Sequence, residues 1–182
     1  MKKLTFVVQK HKATSLHYDF RLEIGGVMPS WSIPKGPTLD SSVKRLAMPT
    51  SDHPLEYRKF EGVIADGDYG AGPVMIWDEG TYNAEHEISR GQREEILDTQ
   101  ESDNLMQKSL QEGNLKFRLY GKKLQGSFAL VRTKGFGGNK EAWLMIKHKD
   151  DSSKKGYDAN DYDFSALTNR TLKQISDDDA KK

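Results

Sequence analysis

Residues 16–24 alternate apolar and polar side chains without interruption. A period of two fits a β-strand, whose successive side chains point to opposite faces, and it fits no helix. Leu16, Tyr18, Phe20, Leu22 and Ile24 are then set for a core, while His17, Asp19, Arg21 and Glu23 converge on the other face. Side chains two apart on a strand are separated by about 6.5 Å, close enough for two of them to share one ion. His11 adds a second imidazole upstream. Two histidines and a carboxylate suit a divalent transition metal, and an arginine beside them suits an anion. The same pattern also fits the solvated face of an edge strand, where charged residues are common.

The strand signal recurs along the chain. Residues 4–8 read as β, and Gly25-Gly26 reads as a hairpin turn between residues 16–24 and 27–33. Pro34-Lys35-Gly36-Pro37 then breaks the ladder and puts Lys35 on a stiff loop. Shorter β candidates at 45–48 and 60–64 flank Asp52-His53-Pro54. The glycine-rich stretch 66–72 is read as a tight turn before a strand at 74–77, because it lacks both a phosphate-loop lysine and the calcium-loop pattern. Residues 84–112 are charged, with Ile96, Leu97, Leu105, Met106 and Leu110 at broken helical spacing, and are expected to form a peripheral helical insert. Strand period returns around 115–119, 127–132 and 143–148. Many short strands with little helix predict a mainly β protein with minor α, a compact closed or nearly closed antiparallel β-barrel with peripheral helices. One domain is expected over residues 1–150, followed by a polar tail, 151–182, with a short helix near 165–175 and a frayed end.

Composition narrows the function. The 182 residues carry 28 Lys and Arg against 27 Asp and Glu, a net charge of +1 that excludes the strongly basic signature of a DNA coat protein. Residues 1–60 hold ten basic and five acidic side chains, whereas 150–182 hold six and eight. Positive charge is thus concentrated around the His/Asp/Arg strand, as an anionic substrate requires. With no cysteine, a metal must be bound through nitrogen and oxygen. The apolar run at 4–8 is too short for a signal peptide and no run approaches membrane-spanning length, so a cytoplasmic protein without membrane association is expected. Trp31, Trp77 and Trp143 alternate with apolar residues and read as core, and His86 and His148 read as structural. The absence of a Lys-x-Asp-Gly stretch argues against a ligase.

Six blocks in one order, HKATSLHYDFRLE, SWSIPKGPTLD, KRLAM, DHPLEY, FEGVI and GDYGAG, carry a resemblance. The chain resembles the 3′-phosphoesterase module of bacterial ATP-dependent DNA ligase D, a module that trims 3′ ends in non-homologous end joining and also occurs free-standing in archaea and some bacteria. The likeness is dense from about Phe6 to Trp77 and looser through GSFALVR and WLMIKH. It implies manganese, or another divalent transition metal, on His11, His17 and Asp19. Arg21, His53 and Tyr57 are implied as the catalytic groups around the scissile phosphate, and Lys35 and Arg45 as further phosphate contacts used mainly for monoester removal. The implied substrates are DNA primer-template ends bearing a 3′-phosphate or a 3′-ribonucleotide. Ku, a DNA ligase and a repair polymerase are the implied partners. Ligase-linked members use an N-terminal extension in removing ribonucleosides, and only ten residues precede His11 here, so phosphatase activity is expected ahead of diesterase activity.

The chemistry also follows from the residues. A phosphate ester repels nucleophiles through its negative oxygens, so hydrolysis needs cations on those oxygens, an oriented water and an acid for the leaving alkoxide. Arg21 is able to grip two phosphate oxygens, His53 to give or take a proton near neutrality, and Tyr57 to hydrogen-bond a phosphate oxygen. From residue types alone, His53 before Pro54 equally fits a turn, Tyr57 a core position, and Lys35 and Arg45 solvated surface. Two other classes fit parts of the pattern. His17, Asp19 and His53 match the two-histidine, one-carboxylate set of a non-haem iron oxygenase, with Arg21 on a keto-acid. A non-catalytic nucleic-acid-binding barrel would instead need exposed aromatics along a basic groove.

Overall fold

A computed structural model describes residues 2–134 and 141–182. Its strands are β1 (Leu4–Lys12), β2 (Leu16–Leu22), β3 (Met28–Ile33), β4 (Lys44–His53), β5 (Gly62–Ile64), β6 (Gly72–Ser89), β7 (Gln92–Glu95), β8 (Asn114–Gly121), β9 (Gln125–Thr133) and β10 (Ala142–Lys147). Two helices, α1 (Thr99–Glu112) and α2 (Leu172–Ala180), complete the regular elements together with single 3₁₀ turns at Leu55–Lys59 and Ala159–Tyr162. Antiparallel pairing runs β1-β2-β3-β4-β10-β9-β8-β6, and β6 pairs back onto β1, which closes a ring of eight strands. The nearly closed antiparallel barrel expected from the strand count is the observed fold. Among the described residues no helix is long and apolar enough to cross a membrane.

Strand parity determines where each side chain goes. Phe6 and Val8 on β1, Tyr18, Phe20 and Leu22 on β2, Met75 and Trp77 on β6, and Phe117 and Phe128 on β8 and β9 share one buried core. Phe117 stacks between Phe20 at 5.9 Å and Phe128 at 6.2 Å. The three tryptophans lie within this core as expected. Leu16 departs from the expected pattern: at the edge of the β1–β2 turn it is 43% exposed. The opposite parity of β1 and β2 holds Val7, Gln9 and His11 beside His17, Asp19, Arg21 and Glu23. Val7, Met28 and Ile76 form a small second apolar cluster on this face, roofed by Leu55 of the 3₁₀ turn.

The stretch 84–112 corrects the expectation of a helical insert. Residues 84–89 continue β6, which is 18 residues long, and turn back as β7. Helix begins only at α1, where the Asp98 carboxylate caps the Glu101 amide, and it ends at Gly113 in the left-handed region (φ 75°). The candidates at 45–48 and 60–64 are a ten-residue β4 and a three-residue β5. The polar C-terminal stretch is docked on the barrel through residues 156–163. Lys10 Nζ pairs with Asp163 at 2.8 Å, Tyr18 OH donates to Asn160, Trp77 Nε1 donates to the Tyr162 carbonyl, and Gly156 N donates to Asp40. Its helix starts later than expected, at Leu172, with a capping box between Thr171 and Gln174.

Candidate metal and phosphate site

The β1–β2 hairpin sets His11 directly opposite His17, their rings 5.0 Å apart, and Asp19 follows on the same face. One donor atom from each of His11, His17 and Asp19 lies within 4.8 Å of the others, the one such group among the described residues. Asp19 Oδ2 is 3.3 Å from His17 Nε2 and 3.9 Å from His11 Nδ1. The remaining ring nitrogens are tied to backbone. His11 Nε2 is 2.6 Å from the Gly70 carbonyl, and His17 Nδ1 is 3.0 Å from the Ser15 carbonyl. A carbonyl accepts only from an N–H, so in the neutral rings these contacts place the hydrogen on His11 Nε2 and His17 Nδ1 and leave His11 Nδ1 and His17 Nε2, the two nitrogens that face the carboxylate, as the positions open to a metal; without one, a proton on His17 Nε2 bonds Asp19. Two imidazole nitrogens and one carboxylate oxygen with outer hydrogen bonds in place fit a divalent transition ion.

Arg21 is the hub beside this set. Its Nε donates to Gln9 Oε1 at 2.7 Å, Nη2 to Asp19 Oδ2 at 3.4 Å, and Nη1 lies 3.1 Å from His53 Nδ1. The Tyr57 ring lies under the guanidinium at 5.1 Å, and the His53 and Tyr57 rings are 4.7 Å apart. Arg21 is 4% exposed, so its charge is aimed and nearly dry. Burial shifts protonation in this group. It lowers the pKa of His11, and it lowers that of His53 with help from the adjacent Arg21 charge. It raises the Tyr57 phenol. His17 moves the other way, because its hydrogen bond to Asp19 outweighs desolvation.

The structure therefore brings together His11, His17, Asp19, Arg21, His53 and Tyr57. Lys35 sits exposed on the turn after β3, and among the described residues neither it nor Arg45 makes a hydrogen bond or ion pair with this cluster. The register explains Arg45: it pairs with Met145 and shares the parity of Ala47, both in the main core, so β4 turns it away from the face that carries Asp19 and Ser32. The oxygenase pattern is also not the one assembled, since His53 stands against Arg21 and His11 takes the third position. His86 faces Glu94, outside the cluster.

Two residues of the site were not among those expected. Gln9 is fully buried and links three parts: its Oε1 accepts from Arg21, and its Nε2 donates to the carbonyls of Tyr57 at 2.9 Å and Phe60 at 3.0 Å. Its signal was a polar residue in phase with Val7 and His11. Gly70 orients His11 through its carbonyl, and at φ 75° an added Cβ would meet His11 Cε1 at 3.3 Å. The glycine-rich turn is thus both a turn and the outer support of His11.

Residues 9–132 match the family described as the DNA ligase D 3′-phosphoesterase domain. This chain belongs to that family. Among its relatives, the multifunctional non-homologous end joining protein LigD of Pseudomonas aeruginosa is 44% identical over 147 residues, covering 81% of this chain and 15% of that protein. The multifunctional non-homologous end joining DNA repair protein LigD of Mycobacterium tuberculosis is 39% identical over 154 residues, 85% of this chain and 17% of its own length. The Mycolicibacterium smegmatis relative is 38% identical over 153 residues, 84% of this chain and 18% of its own length. The chain thus spans less than a fifth of the curated relatives it matches. The phosphoesterase family suggested by the sequence blocks is the one found.

Proposed function

We propose that this chain is a metal-dependent phosphoesterase that heals DNA 3′ ends in non-homologous end joining, removing 3′-phosphates and 3′-terminal ribonucleosides to leave a ligatable hydroxyl. One observation carries the reading: the free donors of His11, His17 and Asp19 converge beside a buried, pre-aimed Arg21. Manganese is the proposed ion. When bound it supplies Lewis-acid charge to the phosphate oxygens. Arg21 is held on one side by Gln9 and presents its planar fork to phosphate oxygens, a geometry that an ammonium does not reproduce. Burial and the Arg21 charge keep His53 neutral near neutral pH, so it is fit to take the proton of the attacking water and pass it to the departing 3′ oxygen. Tyr57, whose phenol stays protonated, donates to a phosphate oxygen. The overall step consumes one water and yields a 3′-hydroxyl and inorganic phosphate from the monoester. Ku, a DNA ligase and a repair polymerase are its proposed partners, in a cytoplasmic setting.

The test is a 5′-labelled primer-template ending in a 3′-phosphate or in a single ribonucleotide, incubated with manganese, alongside a closed circular DNA. Conversion of the first two to a 3′-hydroxyl, with the circle intact, is the expected result. Cleavage of the circle would mark a general nuclease. No processing of either end, with the metal bound, would favour a non-catalytic barrel.

A further inference from the structure

The docked C-terminal segment and the β8–β9 turn line a cavity of about 490 Å³ to which none of His11, His17 and Asp19 contributes. Lys10, whose side chain points away from the His11 face, ties Asp163 of this segment to the barrel. Three cations line the cavity: Lys122, Lys123 and Lys154. Three aromatic rings line it with them: Tyr157, Tyr162 and Phe164. Tyr157 and Tyr162 stack at 4.9 Å with planes 14° apart, and Phe164 is 40% exposed. Lys123 lies over Phe164 at 4.2 Å, and Lys154 Nζ sits at the hydroxyl edge of Tyr162, 5.3 Å from the ring centre.

Two of the three lysines have no ion pair among the described residues. Lys154 donates to Tyr162 OH, and Lys123 donates to the backbone carbonyls of Trp77 and Phe164. Neither has a carboxylate at ion-pair distance among the described residues; Lys122 alone reaches one, Glu79 at 3.7 Å. Asp78, the nearest buried acid, is spent on the amides of Lys122, Lys123 and Leu124. The Tyr157 hydroxyl is a second and independent sign of a missing ligand. The residue is only 6% exposed, lines the cavity, and its OH is buried with no hydrogen-bond partner. An orphaned buried hydroxyl calls for a polar guest.

We propose that this cavity is a second nucleic-acid site that takes one nucleotide of an unpaired strand, its base against Phe164 and Tyr162 and its phosphate on Lys123 and Lys154. Aromatic faces accept any base, unneutralised lysines hold the backbone, and the volume falls in the ordinary range for small-ligand sites. A purely apolar peptide would bury these cations without a counter-charge. An acidic peptide would use the lysines but not the stacked rings.

The experiment measures binding of a fluorescent 12-nucleotide single strand to the full chain in a chelator, so that catalysis and metal play no part. Phe164→Ala and Lys154→Gln, at exposed positions where folding is verified by circular dichroism, should each weaken binding about fivefold or more, the lower end of what one stacked base contributes. Lys108→Gln, on the exposed face of α1 and outside the cavity, should bind as the wild type does, which separates this site from general surface charge. An oligonucleotide of abasic spacers should bind more weakly than the natural strand. The proposal is overturned if both variants keep wild-type affinity, if the abasic strand binds equally well, or if a free mononucleotide binds as tightly as the strand.

Discussion

Gln9 shows how much of the site depends on a residue that does no chemistry. It is the brace between Arg21 and the 57–60 backbone, and without it the guanidinium loses the acceptor of its Nε–H while the Tyr57 and Phe60 carbonyls lose their shared donor. Gln9→Ala is expected to lower 3′-phosphate release about 10- to 100-fold, since a misplacement near 1 Å costs on that order, and to lower the melting temperature as well, because the buried Arg21 Nε and two carbonyls lose their partner. Steady-state assays beside thermal unfolding check it. Gly70→Ala acts from the other side. A side chain at φ 75° is strained, and its Cβ would press on His11, so the carbonyl that fixes the His11 tautomer moves. Its metal affinity should fall about 10-fold or more, read by calorimetry. His11, His17, Asp19 and Arg21 were legible because each is an unusual type in strand phase. Gln9 was not, since one neutral amide among Val7, Val8 and Lys10 carries no chemical signature until its partners are known.

At the scale of elements, β2 was readable because a half-buried strand must alternate, and it does so up to its exposed first residue, Leu16. The run 84–95 was misread for a related reason. Glu85, Glu87, Arg93 and Glu95 look like a charged helical face, but they pair across β6 and β7 at a sheet edge and reach Arg118 and Lys116 on β8. Cross-strand charge pairing and i, i+4 pairing draw on the same residues, so composition alone does not separate them. Ring closure hangs on a position that sequence also leaves silent. Gly80 pairs with Phe6 on one edge and Gly121 on the other, and a Cβ there would meet the Tyr120 carbonyl oxygen at 2.1 Å. Gly80→Ala should therefore force β6 from β8 and destabilise the fold by about 1–3 kcal/mol, measured by urea unfolding.

Across the whole molecule, the C-terminal segment was the least legible part, because its anchors are long-range polar contacts with no local period. Asp40 is one of them. Its carboxylate accepts from the Ser42 hydroxyl, the Gly156 amide and the Ser42 amide, which lowers its pKa from the ordinary 3.8 to about 2. A folded-state pKa below the unfolded one adds stability that is complete above the unfolded value and is lost as pH falls through the folded value. The melting-temperature gap between wild type and Asp40→Asn should thus be widest above about pH 5 and close as pH falls toward about 2. A gap that does not change with pH would mean that the charge contributes nothing to docking.

The measurement closest to the central claim is a calorimetric titration of manganese into wild type, His17→Ala and Asp19→Asn. Asp19→Asn keeps the shape of the side chain and removes the charge that offsets the cation. One ion per wild-type chain is expected, with affinity reduced at least about 10-fold in each variant while circular dichroism stays unchanged. Wild-type affinity in both variants would contradict a metal centre at His11, His17 and Asp19.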